Sequence, residues 1–213
     1  MVFETEINEL ISSYPALELN RQEIGNSIKI LIDCFSNGSK VFTGGNGGSA
    51  SDAEHIVGEM LKGFEKKRPV NDTFRNKILH QSNGEMFELT EKLQESLPAI
   101  CLNSQTSIIT AVANDIGYDM VFAQQLMGLG KPGDVFIGLT TSGNAKNVLN
   151  AAIVAKALGL KVIGLTGQEG GKLCSVCDLC ICVPETVTGK VQELHLPVYH
   201  TICRTIENHF YKY

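Results

Sequence analysis

Short apolar segments that alternate with longer helical patterns constrain the fold of this chain more than any other feature. Each segment is nearly continuous in apolar side chains, as expected for strands buried on both faces of a parallel sheet. Alternation of such strands with helices predicts an α/β layer fold. The five predicted strands are residues 40–43, 99–102, 135–139, 161–165 and 179–183.

Helical patterns fill most of the remaining sequence and predict a single domain over residues 1–213, with a helical segment at 1–35 and an α/β core at 40–213. Residues 3–35 contain two apolar stripes separated at Pro15, which predicts two helices. We expect these stripes to need a partner, because they are longer than one small sheet domain should cover. Further helices are predicted over residues 50–64, 85–94, 107–113, 120–127, 145–158 and 188–210.

Composition and charge exclude several classes of protein. The net charge is −5 and the chain has no long basic run, so we expect no nucleic-acid partner. No apolar stretch approaches the ~20 residues that span a bilayer. The N-terminal segment lacks the basic start and apolar core of a signal peptide. We therefore expect a cytoplasmic protein with no membrane partner.

Four of the seven cysteines form a C-x2-C-x2-C-x-C pattern. This spacing approaches that of iron–sulfur ligands. Ordinary core thiols are the favoured interpretation, because free cysteine is a common small core residue. Side chains alternate along a strand, so Cys180 and Cys182 should share one face of the last strand, whereas Cys174 and Cys177 lie outside it.

Polar, glycine-rich loops follow the first and third predicted strands. In an open parallel sheet, ligands bind beyond the carboxyl ends of the strands, where loop N–H groups and helix N-termini favour anions. One such loop can be merely a tight connection, but two at the same edge favour a phosphate or sugar ligand. A dinucleotide site is disfavoured because GGNGGS departs from G-x-G-x-x-G. The candidate loop residues are Asn46, Gly47, Gly48, Ser49, Thr140, Thr141 and Ser142.

Two predicted helices carry candidate catalytic or metal-binding side chains. His55 and Glu59 are four residues apart and share a helix face, with Ser49 or Ser51 placed to cap that helix. A His–Glu pair suits metal ligation or acid–base chemistry, although it is also typical of a solvated face. The last helix sets polar residues among apolar ones, which fits either a site or hydrogen-bonded core positions: Gln192, Glu193, His195 and His200.

These residues lie in segments that resemble the sedoheptulose 7-phosphate isomerase family. In chain order, the matching segments are VFTGGNGGSASDAEHIVGEM, AVANDIGYDMVFAQQL, LTTSGNAKNVLNAA, VIGLTGQEGGKL and VQELHLPVYHTICRTIE. The resemblance implies a SIS fold, with a five-stranded parallel sheet in a three-layer αβα arrangement. It also implies a homotetramer with active sites at subunit interfaces. The implied reaction converts sedoheptulose 7-phosphate to D-glycero-D-manno-heptose 7-phosphate.

The resemblance assigns roles by position. Glu59 matches the general base of the family and His200 its general acid. One zinc ion per subunit is implied, with ligands His55, Glu59, Gln192 and His200. Since Gln192 and His200 are about 12 Å apart along a regular helix, their convergence needs extended side chains, a helix that begins after Gln192, or ligands from two subunits. The matching substrate contacts are Asn46, Gly47, Gly48, Ser49, Glu59, Asn114, Asp115, Thr140, Thr141, Ser142 and Gln192.

Departures from the family pattern leave the identity of the sugar more open than the type of reaction. Some SIS relatives are adaptors or phosphosugar sensors that keep the sugar loops and lose catalytic residues. Because Glu59 and His200 are both present, an isomerase is favoured over a non-catalytic protein of this kind. The departures are Gly63 in place of arginine, Thr140 and Ala145 in place of serine, and Gly189 in place of aspartate.

Overall fold

A computed structural model describes residues 3–211 and confirms the alternation of strands and helices. Five strands form one sheet in the order β2-β1-β3-β4-β5, and every neighbouring pair is parallel. The predicted α/β class and five-stranded parallel sheet are therefore confirmed. The strands are β1 (Val41–Gly44), β2 (Ala99–Cys101), β3 (Val135–Leu139), β4 (Lys161–Thr166) and β5 (Leu179–Cys182).

Helices cover both faces of the sheet. Each face of the sheet packs against its own hydrophobic core, and alternate side chains of β3 point into the two cores. Ile137 lies in the core on one face and Phe136 in the core on the other. Among residues 3–211, no helix combines the length and hydropathy needed to cross a membrane. The helices are α1 (Glu4–Ser13), α2 (Arg21–Ser36), α3 (Gly48–Leu61), α4 (Asp72–Gln81), α5 (Phe87–Lys92), α6 (Thr106–Asp115), α7 (Val121–Leu129), α8 (Lys146–Ala157), α9 (Gly171–Cys174) and α10 (Thr188–Phe210).

The N-terminal apolar stripes are buried within the chain itself. Leu10, Ile24, Ile28 and Leu31 are all at most 5% exposed, in the core that α10 and one sheet face complete. The expectation that these stripes exceed what one domain covers is therefore wrong for most of their length, because α10 is 23 residues long and packs against both helices. Tyr14, at the end of the first stripe, is the exception and is 42% exposed. Assembly through residues 1–35 stays a prediction that rests on the family resemblance alone.

The segment between α3 and β2 contains one helix that the sequence did not predict. Helix α4 has no buried residue, and its clearest signal is Asn71, whose side chain accepts a hydrogen bond from the Phe74 N–H at 2.9 Å. Helix α5 lies inside the predicted span 85–94. Apolar periodicity could not predict α4, because no face of it enters the core.

A buried ion pair joins this segment to α10. The Glu207 carboxylate accepts hydrogen bonds from the Arg68 guanidinium at 2.8 Å and from the Phe64 N–H at 2.8 Å. Arg68 also donates to the carbonyl oxygens of Glu59 and Met60, each at 2.8 Å. Although burial raises the pKa of Glu207, these donors together hold it below its ordinary value. The ion pair thus anchors the end of α3, where Glu59 lies, to α10.

His195 is a core position, which is one of the two alternatives that the sequence left open. Its ring is fully buried and its Nε2 lies 3.2 Å from the Thr166 carbonyl oxygen. Burial lowers the pKa of His195 to about 4. Between pH 6.5 and 4 the His195 imidazole therefore binds a proton more tightly in the unfolded chain than in the folded one. The free energy of unfolding is thus highest above pH 6.5 and decreases as the pH falls through this range.

We expect the stability of the wild-type protein to fall more steeply with acid than that of His195→Gln, which keeps a side-chain donor for Thr166. The difference between pH 7 and pH 5 should be about 2 kcal/mol. Urea unfolding at the two pH values measures it. Equal losses of stability in the two proteins would show that His195 does not contribute to the acid sensitivity.

Candidate active site

The first glycine-rich loop turns at Gly47, whose φ of 57° lies in the left-handed region that favours glycine. This turn lets α3 begin at Gly48, directly after the loop. Ser49 and Ser51 therefore lie inside the helix, and the prediction that one of them caps it is wrong. Gly47 occupies the capping position and offers no side chain to the first helical N–H groups.

Asn46 links this loop to α8. Its side-chain amide exchanges two hydrogen bonds with that of Asn147, at 2.9 and 2.8 Å. The Tyr118 hydroxyl donates to Asn46 Oδ1 at 3.2 Å. Sequence reasoning did not identify Asn147 or Tyr118. The only signal for Asn147 was its place in the first turn of the helix after TTSGN.

The second loop closes through its own side chains. Asn144 donates through its side chain to the Ser142 carbonyl oxygen at 2.8 Å and through its N–H to Ser142 Oγ at 3.2 Å. Thr140 is buried where β3 ends, and its N–H donates to the Leu165 carbonyl oxygen. Ala145 is the capping residue of α8 and makes no side-chain capping bond. The departure from serine therefore leaves this helix N-terminus without a hydroxyl cap.

The two loops line one cleft of about 330 Å³ at the carboxyl edge of the sheet. Gln192 lies against the first loop, with its side-chain nitrogen 2.6 Å from where a Cβ of Gly48 would stand. A side chain at residue 48 would displace the end of this glutamine side chain. Open helix N-termini, hydroxyls and amides suit a phosphorylated, hydroxyl-rich ligand. The cleft is lined by Asn46, Gly47, Gly48, Ser49, Leu139, Thr140, Thr141, Ala145, Thr188 and Gln192.

A second group of polar side chains, the acid–base cluster, lies between α3 and α10. His55 Nε2 is 3.0 Å from Glu59 Oε1, and His55 Nδ1 is 3.0 Å from the Tyr199 hydroxyl. Tyr199 donates in turn to Asp52 at 3.2 Å. The His200 ring meets the His55 ring edge to face, with 4.9 Å between centroids. The structure thus brings together three of the residues predicted from sequence and adds Tyr199 and Asp52.

Three atoms of the acid–base cluster are buried without a hydrogen-bond partner among the described residues, namely Asp52 Oδ2, Glu59 Oε2 and His200 Nε2. Burial, followed by the neighbouring His55, lowers the pKa of His200. Its imidazole is therefore largely neutral near pH 7. Such unsatisfied atoms are costly in a core and are typical of positions that bind a ligand.

The loop cleft and the acid–base cluster lie at different positions along the axes of the parallel helices α3 and α10. Gln192 contacts Gly48, whereas His200 contacts His55, so α3 and α10 run in the same direction. Gln192 and His200 both lie inside α10, which excludes a helix that begins after Gln192. Glu59 is about 16 Å beyond Gly48 along the axis of α3. Within one chain, Gln192 therefore lies with the loops and apart from the other three predicted zinc ligands.

Comparison with known proteins connects this geometry to a family. The sequence model of the SIS domain matches residues 83–167. A phosphoheptose isomerase of Aliarcobacter butzleri is 38% identical over 192 residues, which are 90% of this chain and 88% of that protein. The chain belongs to the phosphoheptose isomerase family.

Solved structures of phosphoheptose isomerases share the whole fold. The enzyme of Neisseria gonorrhoeae superposes with a TM-score of 0.74 at 30% identity, covering 96% of each chain. That of Francisella tularensis has the same TM-score and identity, and covers 98% of this chain and all of the other. The SIS fold predicted from the resemblance is thus confirmed over both the N-terminal helices and the sheet.

The zinc ion that the phosphoheptose isomerase resemblance implies fits part of the predicted ligand set. His55, Glu59 and His200 lie together, and unpartnered Glu59 Oε2 and His200 Nε2 are suitable donors for such an ion. Gln192 is not among them within one subunit, since it contacts Gly48. Three of the four residues therefore fit a metal site in this chain, and the fourth does not.

Two further residues predicted as substrate contacts lie outside the loop cleft. Asn114 and Asp115 are exposed at the end of α6, where the Asn114 side chain donates to Asp115 at 2.7 Å. Neither lines the cleft of its own chain. Their role as substrate contacts stays a prediction.

Proposed function

We propose that the chain is a cytoplasmic phosphosugar isomerase that converts sedoheptulose 7-phosphate to D-glycero-D-manno-heptose 7-phosphate. The observation that carries this proposal is the acid–base cluster, in which a buried carboxylate oxygen and a buried imidazole nitrogen lack protein partners. The loop cleft supports it by supplying donors for a phosphate. A non-catalytic sugar sensor would need the loops but not a desolvated Glu59.

The proposed chemistry moves a proton between adjacent carbons through an enediol. Glu59 removes the carbon-bound proton as the base, through whichever carboxylate oxygen a bound metal would leave free. His200 exchanges a proton with the neighbouring substrate oxygen. Because the pKa of His200 is lowered, its neutral imidazole can accept or return that proton near pH 7. His55, held between Tyr199 and Glu59, orients the carboxylate.

A bound zinc ion would polarise the substrate carbonyl as a Lewis acid. His55, Glu59 and His200 are the residues that would hold it. Gln192 would join them only from a neighbouring subunit. The phosphate group would lie in the second loop, near Thr141, Ser142 and the N-terminus of α8.

We further propose that each active site combines two subunits of a homotetramer. The α-carbon of Glu59 lies about 16 Å beyond that of Gly48 along α3, so the loops of one chain hold a phosphate well away from the base of the same chain. A neighbouring subunit that places its acid–base cluster beside the cleft would complete the site.

Isomerase activity is tested by incubating the purified protein with sedoheptulose 7-phosphate in D2O and following the products by NMR. We expect an aldose phosphate that carries solvent deuterium at the reacting carbon, since an enediol exchanges its proton with the base. Binding without conversion would contradict the proposal and indicate a sensor. Conversion with no deuterium in product or recovered substrate after many turnovers would favour a hydride shift over the enediol.

The shared site predicts complementation between inactive chains. Glu59 and His200 lie in one acid–base cluster, so variants at these two positions should not rescue each other. A mixture of Glu59→Gln with the phosphate-loop variant Thr141→Val/Ser142→Ala should regain up to about a quarter of wild-type activity. In an equal mixture that assembles at random, about a quarter of the sites combine an intact loop from one variant with an intact cluster from the other.

The complementation experiment requires co-refolding of the two variants, each inactive alone, and an assay of the mixture. Glu59→Gln mixed with His200→Ala serves as the matched control and should stay inactive. A mixture of the cluster and loop variants that stays inactive would show that each site is built from one chain.

A further inference from the structure

Three of the seven cysteines converge behind the second loop, outside the site described above. Cys174 Sγ lies 3.9 Å from Cys182 Sγ, which lies 3.7 Å from Cys180 Sγ, and the three sulfurs are all within 4.8 Å of one another. Cys180 and Cys182 share a face of β5, as predicted. Cys174 joins them because the turn at Gly170 and α9 bring it back over the strand. Cys174 is also exposed, so the interpretation of all four as ordinary core thiols fails there.

The spacing of the sulfurs fits a tetrahedral metal site. Four thiolates bound to zinc at ~2.3 Å place neighbouring sulfurs about 3.8 Å apart. The two observed contacts lie on either side of that distance. A disulfide fits less well, because any pairing leaves the third thiol unpaired, and Cys180 and Cys182 are two residues apart on one extended strand.

Cys177 lies near Cys180 but outside the group of three mutually close sulfurs. The sulfurs of Cys177 and Cys180 both lie over Gly164, 2.8 and 3.1 Å from the position of a Cβ there. A side chain at Gly164 would fill the space that these sulfurs occupy. On the other side, the Thr166 hydroxyl donates to Cys182 Sγ at 3.4 Å, as outer hydrogen bonds commonly do for ligating thiolates.

A redox switch is the main alternative for such a group. Reactive cysteines have a lowered pKa and stand beside cations or helix N-termini. Here the hydrogen-bond partners of the Cys174 and Cys182 thiols are other thiols and the Thr166 hydroxyl, with no cation among them. Three mutually close thiols supply the soft ligands that zinc binds.

We propose that Cys174, Cys180 and Cys182 bind a zinc ion whose fourth position, beside the exposed Cys174, is open to solvent. This site is separate from the acid–base cluster and has a structural role. The Leu173 N–H, next to Cys174, donates to the Gly143 carbonyl oxygen at 2.9 Å. A Cβ at Gly143 would stand 2.0 Å from the Gly170 carbonyl oxygen, so the turn and the second loop are in close contact. The ion would hold that turn and, through it, the loop.

Cobalt substitution tests the site independently of any isomerase activity. The full chain, freed of tag and metal under reducing conditions, is titrated with Co²⁺ and then with Zn²⁺. We expect an intense near-ultraviolet thiolate-to-cobalt absorption that zinc abolishes. His55→Ala, which alters the acid–base cluster, should keep this absorption, and Cys174→Ser/Cys182→Ser should lose it. Cys34→Ala, which removes a thiol elsewhere, is the matched control and should keep it.

The exposed Cys174 also allows a milder variant, Cys174→Ser, whose fold is checked by circular dichroism. It should bind zinc at least about tenfold more weakly than wild type, since one of the ligands is lost. Absence of the thiolate absorption in the wild-type protein would overturn the proposal. So would its persistence in the double cysteine variant, or a Cys174–Cys182 disulfide in protein purified anaerobically.

Discussion

Glu59→Gln is expected to lower kcat by about 10²- to 10⁴-fold, the usual cost of removing an essential general base. Glutamine matches glutamate in volume and can keep a hydrogen bond to His55, so the fold and phosphosugar binding should survive. The loss arises because an amide cannot accept the carbon-bound proton. Steady-state kinetics with sedoheptulose 7-phosphate and a thermal unfolding curve measure the two effects separately.

Glu54→Gln provides the matched control, since Glu54 lies on the same helix and is exposed, accepting a hydrogen bond from Ser104 at 3.1 Å. We expect that variant to keep wild-type kcat. If Glu59→Gln retained more than about a third of wild-type turnover, a loss far smaller than a base should give, Glu59 would not be the base.

Glu207→Ala is expected to destabilise the protein by about 3–5 kcal/mol, because it leaves the Arg68 charge buried without its partner. Arg68 and Glu207 have at most 1% of their side chains exposed. The substitution also removes the acceptor of the Phe64, Glu65 and Lys66 N–H groups. Chemical unfolding at fixed protein concentration measures the change in free energy.

Glu193→Ala is the control on the same helix. Glu193 forms an ion pair with Lys190 in which both side chains are about 60% or more exposed. Such a surface pair contributes at most about 1 kcal/mol. Similar losses in the two variants would show that the buried pair is no more important than a surface one.

Arg68→Lys, if folded, should lower kcat as well, since the Arg68 guanidinium donates a hydrogen bond to the Glu59 carbonyl oxygen.

The sequence predicted both ends of every strand to within one residue. Its five strands are apolar runs bounded by glycine, proline or polar residues, so local pattern and the rule for parallel sheets suffice. Helix α4 was missed because it buries nothing. The start of α3 was misplaced because the left-handed turn at Gly47 replaces a serine cap, and spacing alone does not show that φ.

Part of the candidate site was also predictable, because His55 and Glu59 are neighbours on one helix. Their contacts from α10 were not, since nothing local pairs His55 with Tyr199, 144 residues away in the sequence. Arg68 sits in the run Lys66-Lys67-Arg68, which is typical of a solvated surface, yet it pairs with Glu207 across 139 residues. Such pairs depend on how α3 and α10 pack, and the local pattern of a single sequence does not show that packing.

The order of the strands has a consequence for synthesis on the ribosome. Strand β1 lies between β2 and the central strand β3. Its junction with β3 is fixed by Lys40 and Asp134, which are 94 residues apart. At ~5–20 residues per second, β1 waits about 5–20 s for its central neighbour to be made. During that interval the nascent chain exposes an apolar strand with one free edge. Chaperone binding to stalled chains that end before residue 135 should therefore be strong, and it should weaken once β3 has emerged.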